Sequence, residues 1–264
     1  MKKTKVLITG GHGYIGLNLV QYLEDKNFEI IVLDPHIDIL DYMPRVDFEC
    51  IIHLAAFPGV ANCKLDFQKA VLDNISSAFT IFQYANERHI PVIFTSSQAA
   101  KNPFDNEYAF IKGIIEVEAN RLIAKGADIR ILRLCNVYGG KDYLVKKNTV
   151  VKKFIEAKKL NEFIVINGDG KQIRDFIHVN DVCEAIYLSI VSESFDMPID
   201  IGSGKGVSIL ELAKMFNCQF TFRPKSDIIG IMKSVADIKP AEKTIGFISK
   251  HNLFEYIENE IRNV

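Results

Sequence analysis

The sequence predicts an α/β fold, a doubly wound parallel sheet followed by a smaller C-terminal region, and three observations carry that expectation. Short apolar runs rich in branched residues recur at Val6 to Thr9, Ile30 to Leu33, Cys50 to Leu54, Val92 to Ser96 and Ile129 to Leu134, as strands buried on both faces require. Segments of helical period lie between them, at Ile15 to Asp25, Gln68 to Arg88 and Tyr108 to Lys125. This alternation builds βαβ units, whose crossovers place helices on both faces of one sheet. From about Gly140 the composition changes: Lys146, Lys147, Lys152, Lys153, Lys158 and Lys159 are spread over one helix and its approach. They read as a solvated face rather than an anion entrance.

The first strand runs into Gly10, Gly13 and Gly16 and then into an apolar helical pattern opened by Tyr14 and Ile15. Gly10 permits a tight turn, Gly13 lets backbone approach a pyrophosphate, and Gly16 lets the helix lie against the strand. The helix N-terminus favours the anion. Asp34 closes the second apolar run, where a carboxylate accepts hydrogen bonds from adenosine ribose hydroxyls and repels a 2′-phosphate. No Arg or Lys follows it until Arg45. A Rossmann-like site for NAD, rather than NADP, is therefore expected.

With 264 residues and 48% hydrophobic content, the chain can bury a sizeable core. A formal net charge of −1 gives no case for nucleic acid or a membrane surface as partner. The five cysteines, Cys50, Cys63, Cys135, Cys183 and Cys218, include no CxxC pair, which suits reduced thiols and a cytoplasmic location. Behind the basic Lys2, Lys3 and Lys5, the apolar stretch ends at Gly10, too short for a signal peptide. Without Cys and His at ligand spacing, no metal site is expected. His12 and His178 fit turn and packing roles.

Several further motifs stand in one order: His53-Leu54-Ala55-Ala56, Asn74, Thr95-Ser96-Ser97, Tyr108 with Lys112, and Arg133 to Gly139. Gly168 to Val179, Ile201 to Gly204 and Ala236-Asp237-Ile238 complete the series. In this order they resemble the extended short-chain dehydrogenase/reductases of the NAD-dependent epimerase/dehydratase family, typified by UDP-galactose 4-epimerase. The resemblance covers nearly the whole chain. It implies that Tyr108 is the acid/base, that Lys112 also holds the nicotinamide ribose, and that Ser97 hydrogen-bonds the reacting oxygen. A phenol is a poor base at neutral pH, so a lysine one helical turn away is expected to lower its pKa by favouring the phenolate. Leu54, Ala55, Ala56 and Asn74 join the cofactor set. Asn136, Arg174 and Arg223 are carried over as substrate residues, the arginines clamping a diphosphate with a planar, permanently charged fork.

The chain departs from the family in two places. The Ser97–Tyr108 stretch is shortened, and the stretch from Asp34 to Asp47 is compressed after the second strand, removing one βα unit and leaving Asp38 and Ile39 near the adenine. Family dehydratases carry Asp-Glu directly after the position of Ser97, and here Gln98 and Ala99 stand there, which argues against dehydration. The expected function is sugar 4-epimerisation on a nucleotide-diphosphate sugar. Its alternatives are reduction of a 4-keto sugar nucleotide and, from another class, a non-catalytic NAD(H)-binding sensor or scaffold.

Residues 1–140 are expected to form the cofactor domain, with 175–202 returning to it, and 141–174 with 203–264 the substrate-binding region. Ile75, Ala78, Phe79, Phe82 and Tyr84 in one helix, and Phe110, Ile111, Ile114, Ile115 and Val117 in another, exceed what one apolar face needs. The resemblance makes these the helices that pair about a two-fold axis, so a homodimer is expected.

Overall fold

The computed structural model describes residues 3–33, 47–141, 149–224 and 231–262. It opens with β1 (Lys5–Thr9), α1 (Tyr14–Asp25) and β2 (Glu29–Leu33), followed among the described residues by β3 (Cys50–His53). Next come α2 (Val60–Leu65), α3 (Phe67–Val71), a π turn over Leu72–Ser76, and α4 (Ser77–Arg88). β4 (Val92–Ser97) leads through a 3-10 turn, Gln98–Lys101, to α5 (Glu107–Ile123), β5 (Ile129–Leu134) and β6 (Asn136–Tyr138).

The C-terminal elements are α6 (Val150–Lys159), β7 (Ile164–Asn167), β8 (Ile173–His178), α7 (Val179–Val191), β9 (Ile199–Ile201), β10 (Gly206–Ser208) and α8 (Ile209–Met215). β11 (Phe220–Arg223), β12 (Lys233–Ser234), α9 (Lys239–Ile245) and α10 (Leu253–Arg262) complete them. No helix among the described residues is long and apolar enough to cross a membrane.

Six strands form one sheet in the order β2-β1-β3-β4-β5-β9, and every neighbouring pair is parallel. Alternation along the strands sorts side chains to two cores. Val6, Ile8, Ile52, Ile93 and Leu132 pack with α1 and α7 residues such as Leu19, Leu23, Val182 and Ile186. Leu7, Ile51, Phe94 and Ile131 pack with Ile81 and Phe82 of α4 and Ile111 and Ile115 of α5. Period-two burial on both faces is what a doubly wound sheet demands. β2 is an edge strand among the described residues; the compressed stretch after it, where one βα unit was expected to be lost, lies outside them apart from Asp47.

The helix expected over Gln68 to Arg88 is interrupted. Asn74, 2% exposed, donates from Nδ2 to Ala70 O at 2.8 Å and to Phe57 O at 3.2 Å. The π turn accommodates one extra residue, which such turns insert at functional sites, and it aims Asn74 at the loop after β3.

A third core, including Tyr138, Phe154, Ile164, Phe176, Leu212 and Phe216, underlies two small sheets. β8 pairs with β10, β12 and β6, and β11 pairs with β7. Ala236, Ala241, Ile245 and Phe247, expected in the smaller region, belong instead to the core shared with α1 and α7, because the apolar face of α9 packs beside β9. On α6, Val151, Phe154 and Ile155 are buried while Lys153 and Lys159 face outward, the solvated-face arrangement.

Candidate active site

Backbone proximity shapes the glycine turn. Gly10 has φ +72°, and a Cβ there would lie 2.7 Å from Ala55 N, while one on Gly16 would lie 2.3 Å from Gly10 O. Neither position admits a side chain. Gly13 precedes α1 without any side-chain cap hydrogen bond, the arrangement that leaves a helix start open to an anion. Leu54 N donates to Thr9 O at 3.1 Å and Ala55 N to Thr9 Oγ1 at 3.3 Å. Phe57 N donates to Asn74 Oδ1 at 3.0 Å, so Asn74 braces the strip Leu54, Ala55 and Ala56 beside the turn. These residues fit a dinucleotide. Asp34, Asp38 and Ile39 lie outside the described residues.

The structure also ties this end of the site down in ways the sequence reading missed. Tyr14 donates from its hydroxyl to Gly139 O at 2.7 Å, and Asn18 Oδ1 accepts from Lys141 N at 3.0 Å, which docks the loop after β6 on α1. His53 Nδ1 and Thr9 Oγ1 are hydrogen-bonded at 2.7 Å. Burial first, and the nearby Lys112 second, push His53 down to about 3, so it is a neutral brace between β1 and β3.

Asn106 caps α5, its Oδ1 accepting from Ala109 N at 3.0 Å, which places Tyr108 in the first turn and Lys112 in the next. Ser97 lies near enough to Tyr108 to favour its phenolate, and Ser97 Oγ accepts from Ala99 N at 3.2 Å. Lys112, 4% exposed, donates to Thr95 O at 3.0 Å and lies 4.9 Å from the centre of the Phe94 ring. Ser97, Tyr108 and Lys112 thus converge at the ends of β4 and α5.

Their electrostatics differ from expectation. Burial raises Tyr108 to about 12, outweighing the Ser97 hydroxyl that favours the phenolate, and Lys112 is not among the causes of that shift. The lysine itself is lowered to about 8, chiefly by burial, with Glu116 opposing. Its ammonium donates to Thr95 O, and the expected lowering of the phenol is not seen, burial of Tyr108 being the larger effect.

Gln98, beside Ser97, is 6% exposed, and its Nε2 is buried without a hydrogen-bond partner. The sequence marks its position only as the place where family dehydratases carry Asp; the unmet donor is a product of the fold.

The substrate candidates are dispersed. Asn136 is exposed at the start of β6. Arg174, half-buried on β8, donates from Nη1 to Ile173 O at 2.8 Å, and burial lowers its pKa. It is not ion-paired with Asp175 or Asp181, whose carboxylates are engaged elsewhere. Asp175 accepts from Ser203 N and Oγ, Gly204 N and Ala236 N, and Asp181 from Ser249 and His251. Arg223 lines a cavity of about 630 Å³ with Gly168, Asp169, Gln172, Phe222, Pro224 and Met232. Neither Arg174 nor the Ser97 cluster lines it, so the two arginines do not share one cavity wall. His178 caps α7, its Nδ1 accepting from Asn180 N at 3.2 Å, and stacks on His251. All five cysteines are free.

The family model described as the NAD dependent epimerase/dehydratase family matches residues 6–198. The chain belongs to that family. NAD is the family's cofactor, and the glycine turn and its braces fit it. A putative UDP-glucose 4-epimerase of Methanocaldococcus jannaschii is 27% identical over 304 residues, covering 97% of each chain. A dTDP-4-dehydro-6-deoxy-D-allose reductase of Streptomyces bikiniensis is 28% identical, covering 80% of this chain and 79% of the reductase. Among solved structures, a UDP-N-acetylglucosamine 4-epimerase from Methanobrevibacter ruminantium, in complex with UDP-N-acetylmuramic acid, superposes with TM-score 0.86 at 26% identity, covering 99% of this chain and 98% of that one. Family members are thus enzymes acting on sugar nucleotides, by more than one reaction.

Proposed function

We propose that this chain modifies a nucleotide-diphosphate sugar by hydride transfer at a ring carbon, with 4-epimerisation as the reaction. The observation that carries the reading is Tyr108, close enough to Ser97 for the serine to favour its phenolate and one helical turn from the buried Lys112. NAD, when bound, supplies the site that accepts and returns a hydride. Ser97 orients the substrate hydroxyl. Tyr108 takes the hydroxyl proton at its phenolic oxygen and later gives it back, with Ser97 favouring the phenolate against the burial that raises it, while Lys112 holds the ribose. Asp34, with Asp38 and Ile39, is assigned to the adenosine end, and Asn136, Arg174 and Arg223 to the diphosphate and its sugar. The cofactor half is assigned to residues 1–140 with 175–202, and the substrate half to 141–174 with 203–264, apart from the stretch packed beside α7.

One-way reduction of a 4-keto sugar nucleotide is the second reading, favoured by the shortened Ser97–Tyr108 stretch, since a reductase need not hold a keto intermediate while it rotates. A panel of UDP-, dTDP- and GDP-sugars with NAD or NADH, analysed by chromatography, separates the readings. Equilibration of two 4-epimers with NAD supports the first, and conversion only of 4-keto sugars with NADH supports the second. With no conversion of any sugar, the chain would be a sensor or scaffold.

The second copy of a homodimer is assigned to the face of α4 and α5. Ala78, Phe82, Ile111 and Ile115 cover the sheet; of the surplus, Ile75, Phe79, Tyr84 and Ile114 are half-buried, and Phe110 and Val117 of α5 are 41% and 70% exposed, as is Leu72 of the π turn at 63%.

A further inference from the structure

Glu116 lies one turn beyond Lys112 on α5 and is 4% exposed. Both its carboxylate oxygens are engaged. Arg133 Nε donates to each at 3.0 Å and Arg133 Nη2 to Oε2 at 2.5 Å, while Ser96 Oγ donates to Oε1 at 2.5 Å. Ser96 and Arg133 are direct register partners on β4 and β5. One carboxylate therefore clamps α5 across two strands, at the residue before Ser97 and one turn past Lys112. A bidentate guanidinium fork is a rigid, charge-assisted connection, whereas apolar packing alone would let the helix slide.

The surroundings of Lys112 are otherwise poor in negative charge. Its own helix contributes Tyr108 and Glu116, α2 contributes Cys63, and β3 contributes the neutral His53. β4 offers Thr95 O and the Phe94 ring, and the nearest β5 charge, Arg133, is held by Glu116. Burial works against the ammonium, and Glu116 is the largest influence opposing it.

We propose that Glu116 is the positioning residue of this centre, fixing α5 against β4 and β5 through Ser96 and Arg133 and providing the counter-charge for Lys112. The inference rests on the assignment of Ser97, Tyr108 and Lys112 as the reacting set. Removing the charge lowers the pH at which Lys112 loses its proton, whereas a purely structural clamp would lower turnover at every pH and leave that midpoint in place.

The test is a side-chain NMR titration of the full chain, with the Lys112 signal identified by its loss in Lys112→Gln. The wild type is expected to titrate near 8. Glu116→Gln is expected to titrate about one pH unit lower, the smaller end of what a close opposite charge contributes, and Glu116→Asp close to the wild type. Should Glu116→Gln not fold because Arg133 is left unpaired, Glu116→Gln/Arg133→Gln is expected to shift Lys112 in the same direction by a smaller amount, because loss of the Arg133 cation bound to the carboxylate offsets part of the loss of its negative charge. An unchanged Lys112 midpoint in a folded variant lacking the Glu116 charge overturns the proposal. The titration needs neither substrate nor turnover, so failure to convert any sugar would sink the functional reading and leave this result standing on its own.

Discussion

Around Gly10 the site is made of backbone, with Ala55 and Gly10 so close that no side chain fits and Asn74 and Thr9 bracing the strip beside them. Arg174 and Arg223, the proposed substrate arginines, are long side chains on two separate small sheets, and Arg223 lines an open cavity. The first region is held by backbone contacts, and the second presents cations from separate strands. A cofactor common to a whole family suits the backbone half. Differences in substrate suit the side-chain half, as relatives with different reactions at similar identity illustrate.

The largest expected break in this comparison is Tyr108→Phe. It should leave NAD binding nearly intact, because the glycine turn is untouched, and lower turnover by a factor on the order of 10² to 10⁴, the usual worth of a positioned acid/base. Wild-type turnover in the variant would remove Tyr108 from its proposed role. Next come Arg174→Met and Arg223→Met. Loss of a charge-assisted hydrogen bond, about 1.5–3 kcal/mol, predicts KM for the sugar nucleotide raised roughly 10- to 100-fold with calorimetric NAD affinity unchanged. If NAD affinity fell equally, the division between the halves would be wrong.

The exposed Phe110 and Val117 of α5 and Leu72 of the π turn sharpen the comparison from outside, since the proposed homodimer would join two copies through the cofactor half. Light scattering on the eluting protein should report twice the chain mass of 29.8 kDa; the single-chain mass would reject the pairing. The smallest effect is expected from Gln98→Met. Replacing the unmet donor by an apolar side chain of similar size should stabilise the protein by about 1 kcal/mol, seen as a melting temperature higher by about 2–4 °C. An unchanged or lower melting temperature would mean that Gln98 finds a partner in solution.

What was legible in the chain follows the same division. The strands from Val6 to Leu134 and the helices between them could be read because branched apolar runs and helical periodicity are local signals. The glycine turn could be read because only glycine tolerates its contacts. The π turn at Asn74 was not legible, since its cause is a loop far along the chain whose backbone Asn74 must reach. Nor were the lowered Lys112, the raised Tyr108 and the Glu116 clamp, all products of burial between α5, β4 and β5. The placement of Ala236 to Phe247 on the α7 side depends on which hydrophobic face α9 finds. Arg174 and Arg223 were found by motif, but their separation into different walls is a matter of sheet pairing that no spacing encodes.

Hydride transfer at a ring carbon is the claim on which the assignments of Ser97, Tyr108 and Lys112 depend, and isotope tracing reads it directly. A nucleotide sugar carrying deuterium at C4 is incubated with the protein and NAD, and the product is analysed by mass spectrometry and NMR. The account predicts an inverted C4 that keeps its deuterium, because the label leaves and returns as hydride while Tyr108 handles only the hydroxyl proton. Inversion with the label lost to solvent would mean that C4 is deprotonated instead, and would contradict it.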